Sequence, residues 1–483
     1  MSTLTYTPTT GTALHLPRTP QAVVEDALNA ARALRDVRDC VVFTMVDSSA
    51  DLRWANSTLT TNGVSWGMSI TVVAYVDTPT GVATATIGVD SADLDTSRVR
   101  SLVEAAVAKA RLLGGSGEGM PLLPRQLGNW DELPVVTDAS VFAPITGHLG
   151  QIFAEATHGD YAHYGYAEHS LVSVWVAALS GLRAQYAMPS GRIEMTARSV
   201  DATRSAWEGV STRTFSGLDL PRLDHQLRTR LEWQRRRVEL PAGKYTTILP
   251  AGCVGDLVET MRPALVARDA VEGNSFFASA NTANGTRLGE LITAAGVHLF
   301  SDPGYRGLEV PDIVVDLYDS PNASVFDTGL TAGRADWLTD GRLGALEGTR
   351  VTETEHGINR AADCGNLVLD IDGGSGTLDD LVAGTDSGVL CTSLWYIRDL
   401  EEADLLVTGL TRDGVYLVEG GEVVAATNNF RFNESAPGIL SRIARAGATE
   451  ITQVREHAES ADAMAMPPLV IEAFTMSSVS TSN

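Results

Sequence analysis

Cysteine is scarce in this chain. There are four in 483 residues, Cys40, Cys253, Cys364 and Cys391, and they form no CxxC pair. That spacing excludes a zinc ribbon and a dithiol redox motif, so reduced and mostly buried thiols are expected. Basic residues are also outnumbered: 36 Lys and Arg stand against 60 Asp and Glu, a formal charge of -24. Nucleic-acid binding depends on clustered cations that answer phosphates, so no nucleic-acid partner is expected. Acidity of this size favours solubility and basic peptide partners. No stretch approaches the roughly 18 uninterrupted apolar residues of a membrane span. The opening MSTLTYTPTTGTALHLP has neither the basic start nor the apolar run of a secretory leader. A cytoplasmic protein without a membrane anchor is the expectation. HExxH and GxxxxGK[ST] are both missing, which removes the commonest single-motif arguments for a metallopeptidase or a nucleotide hydrolase.

What the chain does have is the composition of a folded protein, 44% hydrophobic and 20% charged, at a length that calls for more than one core. Val24, Ala27, Leu28, Ala31 and Leu34 recur at helical spacing, and CVVFTMV from Cys40 switches to a strand-like run. RWANSTLTTNG (Arg53 to Gly63), SITVVAYVD (Ser69 to Asp77) and GVATATIGVD (Gly81 to Asp90) read as successive strands, with Asn62-Gly63 as a hairpin turn. Helical spacing returns from Ser97 to Leu113, and GGSGEGMPLLP (Gly114 to Pro124) has the content of a linker. The spacing predicts an α+β chain in three parts: an N-terminal α/β module over 20–113, a mixed middle region over 124–238 and a β-rich C-terminal domain over 239–476.

In the middle region, LPRLDHQLRTRLEWQRRRVEL (Leu220 to Leu240) places Leu223, Leu227 and Leu231 on one helical stripe and carries six arginines. A solvated face whose arginines answer nearby acids is the plain reading, and a partner-docking helix the functional one. Further on, period-two alternation around Gly420-Gly421 predicts a β-hairpin.

Three motifs invite chemistry. GVSWG (Gly63 to Gly67) fits G-x-S-x-G, but a nucleophile elbow needs a helix after the serine and a strand follows here. AEATHGDYAHYGYAEH gathers Glu155, His158, Asp160, His163, Glu168 and His169, yet the histidine separations of five and six do not suit one helical face. DIDGGSGTLDDL (Asp370 to Leu381) lacks the glycine and oxygen ligand order of an EF-hand, and Thr377 with Asp380 reads instead as a helix capping box.

The C-terminal third resembles the TldD/PmbA family in ELPAGKYTTILP (Glu239 to Pro250), ARDAVEGNSFFAS (Ala267 to Ser279), LWYIRDLEEADLLVTGLTRDGVYLVEGGEVV (Leu394 to Val424), NNFRFNES (Asn428 to Ser435) and MPPLVIEAFTMSSVS (Met466 to Ser480). RWANSTLTTNG is similar to the family's first domain. The resemblance implies a two-subunit peptidase in which TldD-type chains bear zinc and TldE-type chains do not, the pair enclosing a chamber for small or unstructured peptides. It also implies zinc ligands from an HExxxH helix shortly after the LPAG strand and from a cysteine near the carboxyl terminus. Here no histidine lies between His225 and His298, Glu259 to Ala264 stands near the motif's place, and no cysteine follows Cys391.

The expectation is therefore a TldE-type subunit with no metal or catalytic residue of its own, joined as a heterodimer to a zinc-bearing TldD-like protein and contributing to the chamber and to peptide binding. Asn428, Asn429, Arg431, Asn433 and Glu434 are the candidate substrate or partner contacts, with a hydrogen-bonded hairpin end as their structural role. The alternative is a self-sufficient metallopeptidase with a different metal site around His158 and His163.

Overall fold

A computed structural model describes residues 12–16, 18–91, 93–115, 119–458 and 463–480. Most of the opening segment, residues 116–118 of the linker and residues 459–462 of REHAESADAMAMPPL lie outside the described residues.

The first helix, α1 (Pro20–Arg32), starts where the Thr19 hydroxyl accepts from Ala22 N and where proline's missing N–H costs nothing. It buries Val23, Val24, Ala27, Leu28 and Ala31, the stripe its sequence spacing describes. Two long strands follow, β1 (Val37–Ala55) and β2 (Thr58–Thr78), and then β3 (Gly81–Asp90). The β1–β2 hairpin turns at Asn56 and Ser57, both with positive φ, as a two-residue hairpin loop requires. Asn62-Gly63 is therefore not the turn. Asn62 stands opposite Leu52 and Gly63 opposite Asp51, well inside β2. The local preference of Asn-Gly for a turn is outweighed by the uninterrupted pairing and by a register that buries Ala50, Leu52 and Trp54 together.

Helix α2 (Thr96–Leu113), capped by Asp95, lies beside α1, and α3 (Ala143–Ala156) leads into the pair β4 (Tyr161–Ala178) and β5 (Arg183–Ser199), followed by β6 (Ser205–Thr212). The sheet runs β3-β2-β1-β4-β5, with β6 and the short strand Gln126–Leu127 both on β5. Spans 20–113 and 124–238 thus share one sheet, joined by β1–β4 pairing from Val41 opposite Ala178 to Trp54 opposite Gly165. One half of a face is covered by α1 and α2. The other half is covered by α3 and by α4 (Leu220–Trp233), whose buried Leu223, Leu227 and Leu231 are the predicted stripe. Three of the six arginines answer acids: Arg228 meets Asp224 at 2.8 Å, Arg230 meets Glu208 at 2.5 Å and Arg235 meets Asp160 at 3.0 Å.

The C-terminal part is β-rich. After β7 (Gly243–Leu249) and α5 (Ala251–Glu259) come β8 (Ser387–Cys391), β9 (Leu394–Glu401), β10 (Leu406–Thr411), β11 (Val415–Glu419), β12 (Glu422–Ala426), β13 (Phe430–Ser435) and β14 (Leu469–Val479). They form a sheet in the order β9-β10-β13-β14-β7-β8-β11-β12, and Gly420-Gly421 is the predicted hairpin turn between β11 and β12. A second sheet centres on Val297–Ser301 and Leu367–Ile371. The largest core draws on both sheets and α5, from Leu257, Leu299 and Trp337 to Phe430, Phe432 and Phe474. Among the described residues no helix is long and apolar enough to cross a membrane.

A strap from this half, around residues 312–331, lies against the back of the first sheet. Ile313, Val325 and Phe326 pack with Val41, Val73, Tyr75 and Val176. The buried Tyr75 hydroxyl donates to Val325 O at 2.7 Å, and Arg125 donates to Asp312 O at 2.5 Å and to Thr331 Oγ1 at 3.1 Å. Tyr75→Phe leaves a buried carbonyl without its donor. It should lower unfolding free energy by about 1–2 kcal/mol, read as a shifted urea midpoint at constant m value. An unchanged midpoint would show that water replaces the hydroxyl and that the strap does not lean on it.

Candidate functional site

Helix α5 follows β7 after Pro250, the place where the family resemblance puts a metal-binding helix. Its partner is the segment Gln453–His457, and the approach is close because two helical positions carry no side chain. A Cβ on Gly252 would lie 2.5 Å from Gln453 O, and one on Gly255 would lie 2.6 Å from Val454 Cγ1. The fully buried Asp256 locks the contact by accepting three backbone N–H groups, from Arg455 at 3.2 Å, Glu456 at 2.9 Å and His457 at 3.2 Å. Burial outweighs these three donors and pushes the Asp256 carboxyl up to about 7.

The side chains of this segment spread outward. Arg455 is sandwiched between Trp207 at 4.8 Å and Trp395 at 5.1 Å, and it pairs with Asp413 at 2.7 Å. Glu456 accepts from the backbone N–H groups of Tyr396 and Ile397 at 2.8 and 3.1 Å and from Arg398 at 2.8 Å. Burial holds the His457 imidazole below its ordinary value. Trp395, Tyr396 and Leu400 stand exposed on β9, an edge strand of the sheet. One turn beyond Asp256, Glu259 pairs with Arg262 at 2.9 Å, and Arg262 reaches Asp363 at 2.7 Å. Chemically this is a clasp of carboxylates, guanidinium groups and aromatic rings, suited to holding polypeptide backbone and to presenting aromatic surface.

The histidine cluster is scattered. His163 and His169 point to the same face of β4, but six strand residues separate them by roughly 20 Å. His163 is fully buried with Nε2 at 2.8 Å from the buried Asp224, although the two are not aligned as a hydrogen bond. His169 bridges Thr137 Oγ1 at 2.8 Å and Arg213 O at 2.9 Å, which occupies both ring nitrogens, and burial lowers its pKa. Glu155 and His158 are exposed, Asp160 pairs with Arg204 at 2.9 Å, and Glu168 with Arg192 at 3.5 Å. Among the described residues no three His, Cys, Asp or Glu side chains form a group that could hold a metal.

Asn428, Asn429, Arg431, Asn433 and Glu434 are brought together at the β13 end, and they spend their polar groups internally. Asn428 accepts from Leu240 N at 2.8 Å, Asn429 from Thr411 Oγ1 at 3.3 Å, and Asn433 from Ser477 Oγ at 3.4 Å. Arg431 donates to Thr408 Oγ1 at 3.2 Å. Glu434 accepts from Thr475 N at 2.6 Å and pairs with Arg442. Thr377 and Asp380 form the predicted capping box, and Ser65 of GVSWG lies within β2. The arginine–aromatic surface around Arg455 escaped sequence reasoning. LWYIRDL was visible as a phrase, but its meeting with Arg455, Glu456 and Trp207 is tertiary.

A cavity of about 220 Å³ lies behind the strap, lined in part by Asp316, Asp327, Glu347, Arg360, Asp363 and Cys364. Burial, reinforced by Asp327 and Asp319, raises Asp316 to about 6. Burial, reinforced by Asp363 and Asp316, raises Glu347 to about 7.

Residues 242–478 match the family described as the PmbA/TldA metallopeptidase C-terminal domain. That makes the C-terminal half a metallopeptidase-family domain. The whole fold is that of TldE from Thermococcus kodakarensis, with a TM-score of 0.72 at 14% identity over 94% of this chain and 99% of that one. It is also that of a Thermotoga maritima protein described as a candidate modulator of a DNA gyrase, at 0.68 and 15% identity over 90% and 96% of the two chains. A Bacteroides thetaiotaomicron protein described in the same way matches at 0.67 and 14% identity over 94% and 97%. Residues 242–478 thus belong to the PmbA/TldA metallopeptidase C-terminal domain family, and the chain as a whole has the fold of these structures. No curated protein matches it in sequence.

Two expectations follow. Gly252→Ala drives a methyl group into a backbone carbonyl and should cost about 1–3 kcal/mol, measured by denaturant unfolding; a neutral result would mean that the segment 453–457 yields freely. Asp256, Asp316 and Glu347 all ionise more readily in the unfolded chain, so the stability linked to them is complete below about pH 4 and is lost as pH rises through about 6 to 7. Carboxyls held low, such as Asp201 at about 2 through Ser199 and Thr203, act only at more acidic pH. The melting temperature should therefore fall between about pH 5 and pH 8, and Glu347→Gln should flatten the slope. A slope that Glu347→Gln leaves unaltered would assign it to other groups.

Proposed function

We propose that this chain is the TldE-type subunit of a cytoplasmic TldD/TldE-type peptidase pair that degrades or processes small unstructured peptides. It completes the chamber and holds peptide, while a TldD-like partner carries the zinc and performs the hydrolysis. The observation that carries the reading is the closed junction between α5 and the segment 453–457. Where the family resemblance expects imidazoles and a thiolate, Asp256 clasps backbone and Arg262 bridges Glu259 and Asp363. A zinc-bound water of lowered pKa needs several neutral imidazole or thiolate donors around an open position, and here His457 is the one imidazole among carboxylates and guanidinium groups. The exposed Trp395, Tyr396 and Leu400 beside the junction are the surface on which a partner or a peptide would lie. Asn428, Asn429, Arg431, Asn433 and Glu434 serve as the braced end of that sheet rather than as its contact surface.

A chamber-forming pair buries more than a transient contact, above roughly 2,000 Å² in total. Co-expression with the TldD-like protein of the same source should yield a heterodimer stable to gel filtration that cleaves an unstructured peptide. Each chain alone should be inactive or nearly so, with zinc found on the partner by elemental analysis. A partner that cleaves equally well alone, or one tightly held zinc on this chain, would overturn the reading. In the pair, His158→Ala should keep activity within about twofold, since an exposed side chain with no metal role contributes little. His163→Ala should fail differently, by lost stability, because it empties a fully buried site between Phe153, Tyr161 and Asp224.

A further inference from the structure

The outer side of β2 is open at its hairpin end. β3 pairs with β2 only from Ser69 to Thr78, and among the described residues no strand lies against the outer side of Thr58–Gly67. The segment reads TLTTNGVSWG, ten residues with no charge and no proline, in a chain of net charge -24. It carries no lysine or proline to protect the strand edge from pairing, and among the described residues no strand covers it. Leu59, Val64 and Trp66 are 53%, 58% and 46% exposed. Cross-strand pairing with Trp54, Ala50 and Ser48 puts them on the face that carries the core beneath α3, so they extend an apolar stripe beyond its cover.

The opposite face differs in charge. Asp47 stands across from Gly67 and Asp51 across from Gly63. A Cβ on Gly67 would come 3.1 Å from Asp47 Oδ1, and one on Gly63 would meet nothing within 4 Å. Gly67 therefore leaves the exposed Asp47 carboxylate open to whatever lies along the edge, Gly63 puts no side chain between that edge and the half-buried Asp51, and neither aspartate is in an ion pair among the described residues. A strand added to β2 would lie two strand spacings from β1, about 10 Å. A lysine or arginine side chain crosses that gap where glycine stands between.

We infer that Thr58–Gly67 is a strand-addition site for an extended peptide that alternates apolar with basic residues. The apolar side chains would lie beside Leu59, Val64 and Trp66, and the basic ones would reach over Gly63 and Gly67 to Asp51 and Asp47. The backbone edge supplies hydrogen bonds and the two faces supply selectivity. A second copy of this chain is the poorer occupant, because self-pairing sets Asp47 and Asp51 near their counterparts between two strongly acidic molecules. The inference rests on the peptide-handling role proposed above and names the chemistry of the peptide.

The test measures fluorescence anisotropy of a labelled peptide of about eight residues alternating lysine and valine, added to the full chain without its partner. The same peptide with glutamate for lysine serves as control. The lysine peptide should bind, more weakly as salt rises, and the glutamate peptide should not. Trp66→Lys should weaken binding by about tenfold or more, as expected for a charge placed on the strand edge. Asp47→Asn with Asp51→Asn should weaken it by about fivefold and remove most of the salt dependence. Equal binding of the two peptides, or unchanged affinity in both variants, overturns the inference. So does a dimer of this chain that Trp66→Lys splits, since the edge would then serve a second copy. If the lysine peptide binds as described but the reconstituted pair hydrolyses nothing, the proposed pairing fails and the edge site stands. An active pair with binding indifferent to these variants has the reverse meaning.

Discussion

The C-terminal half depends on one carboxylate. Asp256 ties a helix near the middle of the chain to backbone groups about 200 residues later, and it does so where two glycines let the segments touch. Three N–H donors converge on it, yet its surroundings are dry enough that burial still raises its pKa. A group of this kind costs desolvation energy and repays it in position. With the segment fixed, Arg455 enters its aromatic sandwich and Glu456 seats the start of β9. The exposed aromatic surface is built on that sequence of contacts.

The first half is organised by a different constraint, the length of the β1–β2 hairpin. Its strands outrun β3, so among the described residues one stretch of β2 has no neighbour along its outer edge and no helix over its apolar side. The same sheet is held on its other face by the strap from the C-terminal half, through the Tyr75 hydroxyl and the Arg125 guanidinium. The two halves are thus fastened by the strap and also at β6, where Arg455 lies over Trp207 and Ser205 donates to Asp413. The cavity behind the strap gathers Asp316, Asp327, Glu347 and Asp363, and burial raises the carboxyls of Asp316 and Glu347.

Much of the local structure was legible. The α1 and α4 stripes, the Thr377 capping box and the Gly420-Gly421 turn follow from periodicity and turn chemistry, which act over a few residues. Asn62-Gly63 misled because a favourable turn dipeptide is also tolerated inside a strand, and the register of a long pair decides between them. The histidine cluster shows the complementary case, closeness in sequence without closeness in space. Neighbours in sequence were placed along a strand about 20 Å apart, and His163 found its counterpart in Asp224 from another element.

By itself the sequence determined the fold class, the α1 and α4 helices, the Gly420-Gly421 hairpin and the family of the C-terminal half, since each rests on patterns read over short windows or recognisable phrases. It also determined which ligand types are missing near α5, because that is a matter of residue identity. Tertiary structure alone decided that the 20–113 and 124–238 spans share a sheet, that Asn428 to Glu434 brace a strand end, and that Arg455 lies between Trp207 and Trp395. These are contacts between residues tens to hundreds of positions apart. Their energies depend on burial and on the convergence of several segments, and no local pattern records them.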